Sequence, residues 1–228
     1  MKHSGKARQA AFKMLAITFA LVLMVPIIGA VATFVGSAMV AVSIFLFLLW
    51  FAFAVFVLYF FRDPTAKVPT GANLVVSPAH GKVDVIDTTT EPRFMGGQCQ
   101  RISIFLSVLN VHVQNAPVTG KIAHIKYTEG QFVNAMKTEC AECNENVLIG
   151  IEATDPRETK IGMRLIAGVL ARRIVPWIEI GDDIARGERI SLIQFGSRCD
   201  VYLPMNAKIK IKLGDRVVGG ETVVAAFE

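Results

Sequence analysis

Between Lys13 and Arg62 the chain carries no charged residue for 48 positions. A bilayer's hydrocarbon core takes about 20 apolar residues per helix, so a run of this length predicts two passes. The passes fall at 14–34 and 38–61, with Gly36-Ser37 as the reversal between them. Pro26 sits inside the first, where neighbouring groups in a membrane satisfy the backbone that proline frees. A cleaved secretory signal has one short apolar stretch, whereas this stretch is long and doubled. Lys2, Lys6, Arg8 and Lys13 precede the first pass, and Arg62 and Lys67 follow the second. The excess of basic residues on cytoplasmic flanks then makes 1–61 a hairpin anchor in the cell (inner) membrane with both ends in the cytoplasm.

Charge sharpens this division. Residues 1–61 hold four Lys or Arg and no acid, leaving 20 basic against 19 acidic residues in the remainder. The soluble part is almost neutral, which argues against a nucleic-acid partner. Its cysteines are Cys99, Cys140, Cys143 and Cys199. A cytoplasmic domain keeps them reduced. Cys140-Ala-Glu-Cys143 has C-x-x-C spacing, but no second pair or histidine follows at zinc-finger distance, so no metal site is expected.

After F-F-R-D-P-T-A-K-V-P the composition changes, and 62–72 reads as a linker to a domain at 73–228. Stretches such as K-V-D-V-I-D, R-I-S-I-F-L-S, K-I-A-H-I-K-Y and V-L-I-G-I-E carry the period-two alternation of half-buried strands. The segment 161–174 fits strand better than helix, because Gly162 and Gly168 weaken a helix. Gly181-Asp-Asp-Ile-Ala-Arg-Gly-Glu188 recurs as Gly214-Asp-Arg-Val-Val-Gly-Gly-Glu221. Glycines at fixed offsets supply the positive φ of tight turns, and each copy precedes an apolar strand. The expected fold is therefore mainly β, a compact barrel-like or barrel-sandwich domain with the two turns as corners. Similar turns occur in biotin- and lipoyl-carrying domains, but no lysine here has the setting such a carrier needs.

The stretch I-S-L-I-Q-F-G-S-R-C-D at 190–200 poses the functional question. A strand runs into Gly196-Ser197 and then continues into V-Y-L-P. A turn is the simplest reading; a bond meant to break is the other. Around it, F-R-D-P, V-V-S-P-A-x-G-K-V, I-S-I-F-L-S-V-L-N-V-H-V, A-P-V-T-G-K-I, C-N-E-N, G-E-R-I-S-L-I-Q-F-G-S-R and the closing G-x-x-V-x-x-G-E-T-V stand in one order. Together, from about Phe60 to the C-terminus, they resemble the short, archaeal-like, membrane-anchored form of the phosphatidylserine decarboxylase family.

That resemblance implies a self-processing proenzyme. Ser197 would attack the Gly196 carbonyl, and ester formation and β-elimination would split the chain into β (1–196) and α (197–228) parts. Ser197 would become a covalent pyruvoyl group, the pyruvate cofactor. Glycine at 196 leaves the attack unobstructed, while a serine hydroxyl near neutral pH needs a base. The pyruvoyl carbonyl would form a Schiff base with phosphatidylserine and release CO2 to give phosphatidylethanolamine, the cofactor supplying the electron sink. His112, in L-N-V-H-V, is the candidate proton donor, since histidine titrates near neutrality. His80 departs from the family's S-P-A-D-G, reading Ser77-Pro-Ala-His-Gly81, and is the candidate processing base in place of the aspartate. Asn115 stands where the family commonly has arginine, so phosphate contacts fall to residues such as Arg101 or Arg172. The partners implied are phosphatidylserine in the membrane and the chain's own two fragments as a heterodimer, with room for a homo-oligomer. The alternatives are a pyruvoyl decarboxylase of another amine, or a non-processing β scaffold on the membrane. A fragment beginning at 197 separates the enzymes from the scaffold.

Overall fold

A computed structural model describes residues 5–31, 36–130, 144–168, 173–194 and 197–228. These form two units, Gly5–Asp63 and Pro64–Glu228. The first is a pair of helices, α1 (Lys6–Val31) and α2 (Gly36–Phe60). Both are long and apolar enough to cross a membrane. Two boundaries differ from the sequence reading. Helix α1 begins at Lys6, because Lys-Ala-Arg-Gln-Ala-Ala is rich in strong helix formers and the helix does not wait for the apolar run. Gly36-Ser37 opens α2 instead of making the reversal, and residues 32–35 lie outside the described residues. The helices are joined by Trp50 Nε1–H donating to Thr18 Oγ1 at 3.0 Å, with the Phe19 and Trp50 rings 4.8 Å apart.

The second unit is built of strands, as expected. They are β1 (Leu74–Val76), β2 (Gly81–Glu91), β3 (Gly97–Leu106), β4 (Val113–Asn115), β5 (Thr119–Thr128), β6 (Asn146–Asp155) and β7 (Arg157–Ala167). There follow β8 (Arg173–Pro176), β9 (Asp183–Ile184), β10 (Arg189–Gln194), β11 (Ser197–Leu203), β12 (Lys208–Ile209), β13 (Arg216–Val217) and β14 (Val223–Ala226). An eight-stranded sheet has the order β13-β2-β3-β11-β7-β6-β5-β9, beside three-stranded sheets β1-β14-β12 and β4-β10-β8. The large sheet ends at β13 and β9 and does not close, so the barrel-like expectation resolves into three open sheets.

The order of the large sheet is that of a duplicated unit. β13, β2, β3 and β11 mirror β9, β5, β6 and β7, and the small sheets correspond in the same way. One half is β1–β3 with β11–β14; the other, β4–β10, is inserted between β3 and β11. The repeated turns occupy equivalent corners. Gly181 and Gly187 have φ of 99° and 77°, and Gly214 and Gly220 have 94° and 75°. Gly181 N–H bonds Ile122 O and Gly214 N–H bonds Val83 O, both at 2.8 Å. Asp182 and Asp215 each accept from the backbone N–H three residues earlier, at 2.9 and 2.8 Å.

The core lies on one face of the large sheet. Ile102, Ile104, Leu106, Ile149, Ile151, Met163, Leu165, Cys199 and Val201 belong to one buried cluster. The linker of the sequence reading is laid against the β unit. Lys67 N–H donates to Glu221 Oε1 at 2.9 Å, and Arg186 donates to the carbonyls of Pro69, Gly71 and Leu74 at 2.7–3.1 Å.

At Gly120, a Cβ would lie 2.3 Å from the Glu152 carbonyl oxygen, a backbone atom that cannot swing aside. Gly120→Ala should therefore lower unfolding free energy by about 1–3 kcal/mol, measured by chemical denaturation of the full chain.

Candidate functional site

Ser197 is the first residue of β11 and is fully buried. Its register partners are Leu106 on β3 and Ala167 on β7. Among the described residues its Oγ has no hydrogen-bond partner. Leaving a buried hydroxyl unsatisfied costs on the order of 1–3 kcal/mol, and such exceptions mark strain or chemistry. Gly196 lies outside the described residues, as do Arg172, Cys140 and Cys143.

Both register partners of Ser197 lead to further polar groups. Beyond Leu106 the chain makes a tight loop in which Asn110 Oδ1 accepts from the Ser107 N–H (2.9 Å) and Oγ (2.8 Å). The loop delivers His112, 1% exposed, with Nδ1 2.9 Å from the Asn110 carbonyl oxygen. A carbonyl only accepts, so Nδ1 carries a proton and Nε2 is the nitrogen left to exchange one. The His112 carbonyl accepts from Ile193 N–H (3.1 Å) on β10 and from Gln114 Nε2 (2.7 Å). Ser191 Oγ in turn donates to Gln114 Oε1 at 2.9 Å. His112 is thus tied to the strand that leads into Ser197.

On the other side, Asn144 Nδ2 donates to the Ala167 carbonyl at 2.7 Å, and Ala167 N–H donates to the Glu145 carbonyl at 2.9 Å. Asn144, Glu145 and Asn146 are all buried. Sequence reasoning used C-N-E-N only as a mark of resemblance; an N-x-N pair directly before an apolar strand was the available signal that these side chains hold backbone.

His80 stands in the loop before β2, one residue ahead of Gly81. Since β2 and β11 both flank β3, their backbones are two strand spacings apart, roughly 10 Å. A Cβ on Gly219 would lie 3.0 Å from His80 Nε2 and 2.9 Å from Asn115 Oδ1, so the two side chains meet over that glycine. Asn115 Nδ2 also donates to the Gly187 carbonyl at 2.9 Å, placing the pair at the joint between the two repeated turns. Arg101 is engaged by Asp87 through two bonds of 2.9 and 2.6 Å.

The face of β11 opposite Ser197 is charged and buried. Arg198, 1% exposed, meets Asp84 with Nη1 to Oδ1 at 2.8 Å and Nη2 to Oδ2 at 2.5 Å. Asp200, fully buried, accepts from Ser103 Oγ, while its Oδ2 has no hydrogen-bond partner among the described residues. Burial pushes its carboxyl above the usual range, and the Ser103 bond with Arg101, Arg198 and Arg164 opposes this only in part. Burial likewise pushes the Cys199 thiol well up, so it is an inert core group. A cavity of about 730 Å³ lies elsewhere, along Lys121, Glu152, Glu158, Thr159 and Lys160, and includes none of the predicted site residues. Among the described residues no His, Cys, Asp and Glu cluster could hold a metal.

A family model described as phosphatidylserine decarboxylase matches residues 53–225. Curated relatives named phosphatidylserine decarboxylase proenzyme include one from Desulfotalea psychrophila, 45% identical over 203 residues, covering 88% of this chain and 92% of the relative. Another, from Symbiobacterium thermophilum, is 40% identical over 197 residues, covering 84% and 91%. A third, from Ruegeria pomeroyi, is 42% identical over 198 residues, covering 82% and 90%.

Asp200 yields a pH prediction. Its folded pKa is raised, so its protonated form favours the fold below the unfolded pKa, and that contribution is lost as pH rises through the folded pKa. The melting temperature of Asp200→Asn should gain on that of the parent protein between pH 4 and pH 7.5.

Proposed function

The chain belongs to the phosphatidylserine decarboxylase family, and on that premise we propose that it is a self-processing, pyruvoyl-dependent decarboxylase of phosphatidylserine. The observation that carries this reading is the buried hydroxyl of Ser197, without a partner among the described residues, at the junction of β10 and β11. In processing, Ser197 Oγ bonds to the Gly196 carbonyl carbon and the peptide C–N bond breaks, leaving an ester. Loss of the Ser197 Cα proton then expels the Gly196 carboxylate. The dehydroalanine so formed takes up water and releases ammonia, and residue 197 is left as the pyruvoyl group.

A serine hydroxyl without a hydrogen-bond acceptor is fully available to a base at the moment of attack. His80 is the base proposed for that proton, standing where the family's aspartate does. The pyruvoyl carbonyl supplies an acceptor for the substrate's amine and for the electrons freed when CO2 leaves. His112 then delivers the proton. Its Nδ1–H bond to the Asn110 carbonyl fixes the ring so that Nε2 is the exchanging nitrogen. Asn144 holds the β7 side of the site through Ala167.

The domains follow from this chemistry. Residues 1–61 anchor the enzyme in the inner membrane, 62–72 link, and 73–228 act at the cytoplasmic face on a lipid that stays in the bilayer. Two of the described helices have the length and apolar content that an anchor needs. After cleavage at 196, the α part remains held as a heterodimer, because β11 has partners in β3 and β7 and β14 has one in β1.

Ser197→Ala should remain a single uncut chain on intact-mass analysis and form no phosphatidylethanolamine from phosphatidylserine vesicles. Full activity in that variant ends the proposal. His112→Gln should still be cut, while its kcat falls on the order of 100-fold or more; His80→Ala should instead slow the appearance of the 197–228 fragment in a pulse-chase.

A further inference from the structure

Resting on the reading of Ser197 as the pyruvoyl residue, we propose that the Arg198–Asp84 ion pair is a positioning device for the reacting carbonyl. Residue 197 becomes a chain terminus when the bond before it breaks. Its only covalent tether is then the peptide link to Arg198. Side chains alternate across a strand, so the Arg198 guanidinium lies on the face opposite residue 197 and acts through the backbone.

Asp84 reaches that guanidinium because of a β-bulge. The β2–β3 register steps from Val83↔Ile104 to Val85↔Ser103, leaving Asp84 as the extra residue. Bulges re-aim side chains, and they concentrate beside active sites. Here the bulge lets a residue of β2 grip a residue of β11 past the intervening β3. The grip is a two-point fork with the guanidinium side chain 1% exposed and Asp84 30% exposed. A bidentate Arg–carboxylate pair fixes orientation as well as distance.

The duplicated half provides the internal comparison. Its β5–β6 register has the same bulge, stepping from Ile122↔Ile151 to His124↔Gly150 around Ala123. The row Lys82↔Phe105↔Arg198 corresponds to Lys121↔Glu152↔Lys160. Alanine thus stands in place of Asp84, and Lys160 in place of Arg198. Lys160 is exposed and lies with Nζ 5.5 Å from the Phe94 ring centre. The same bulged arrangement forms without the ion pair. The pair occurs in the half whose equivalent strand begins at Ser197, whereas β7 has Thr159 at that register. Folding the unit does not demand the pair; holding residue 197 does.

The experiment compares full-length parent, Asp84→Asn, Arg198→Lys and the control Lys160→Met in phosphatidylserine vesicles. Intact mass gives the 197–228 fragment, hydrazide labelling counts carbonyls per chain, and kcat and KM are taken per carbonyl beside the melting temperature. Asp84→Asn should keep KM and lose kcat per carbonyl by about 10- to 100-fold, the scale of a sub-ångström to ångström misplacement. Arg198→Lys should recover part of that loss, and Lys160→Met should match the parent. An Asp84→Asn chain that melts like the parent but stays uncut supports the same role, since the hydroxyl itself has lost its place. Should Asp84→Asn fail to accumulate, Arg198→Lys decides, by a lowered kcat at unchanged KM. Parental kcat per carbonyl in the variant that is read, whatever its melting temperature, overturns the proposal. Absence of the fragment and of the carbonyl in the parent overturns the pyruvoyl reading instead, and is distinguished by being seen before any substitution.

Discussion

The site depends on β11 being gripped from both sides. It is in register with β3 over Ser197–Leu203 and with β7 over Ser197–Tyr202, and all seven of its residues are buried. Strand pairing and burial act across the sheet, so they do not require the chain to continue at the strand's end. That is why a scission before Ser197 is compatible with a fold that keeps its last 32 residues. The same two neighbours bring in the rest of the site, with the His112 loop leaving from Leu106 and Asn144 clasping Ala167.

Duplication makes the site readable as a set of departures from symmetry. The first turn has Arg186 where the second has Gly219, Thr119 precedes the Gly-Lys pair of β5 where His80 precedes that of β2, and Ala123 stands against Asp84. Arg186 uses its length to hold the carbonyls of Pro69, Gly71 and Leu74. Gly219 has no side chain, and His80 and Asn115 occupy the space above it. A repeated framework supplies rigidity twice, and the candidate site residues stand where one copy deviates.

Much of this was legible in the residues. Period-two alternation marked the strands, and the paired G-D turns marked two corners, because positive φ restricts the residues that can stand there. The motifs around Ser197 and His112 pointed to the family. The duplication itself was not legible beyond the turns: elsewhere its halves share little more than His80-Gly-Lys-Val and Thr119-Gly-Lys-Ile, and β1 and β4 are only three residues long. Asp84 was hidden for a different reason. In K-V-D-V-I-D it alternates as an ordinary outward polar residue, and only the bulge turns it toward Arg198. The start of α1 was missed because hydropathy marks where apolar residues begin, while helix propensity carries the helix back through Lys13, Arg8 and Lys6.

The insertion of one half inside the other has a consequence for the mature molecule. Before scission the inserted half is a closed loop, leaving its host after Leu106 and re-entering at Ser197. Opening the second junction leaves it tethered covalently by the first alone, like a door with one of its two hinges drawn. The sheet would still join the halves through β7 and β11, without the constraint that a closed circuit imposes. On the proposed reading, a cut before Ser197 would loosen one junction of the inserted half while residue 197 keeps its pairing with β3 and β7.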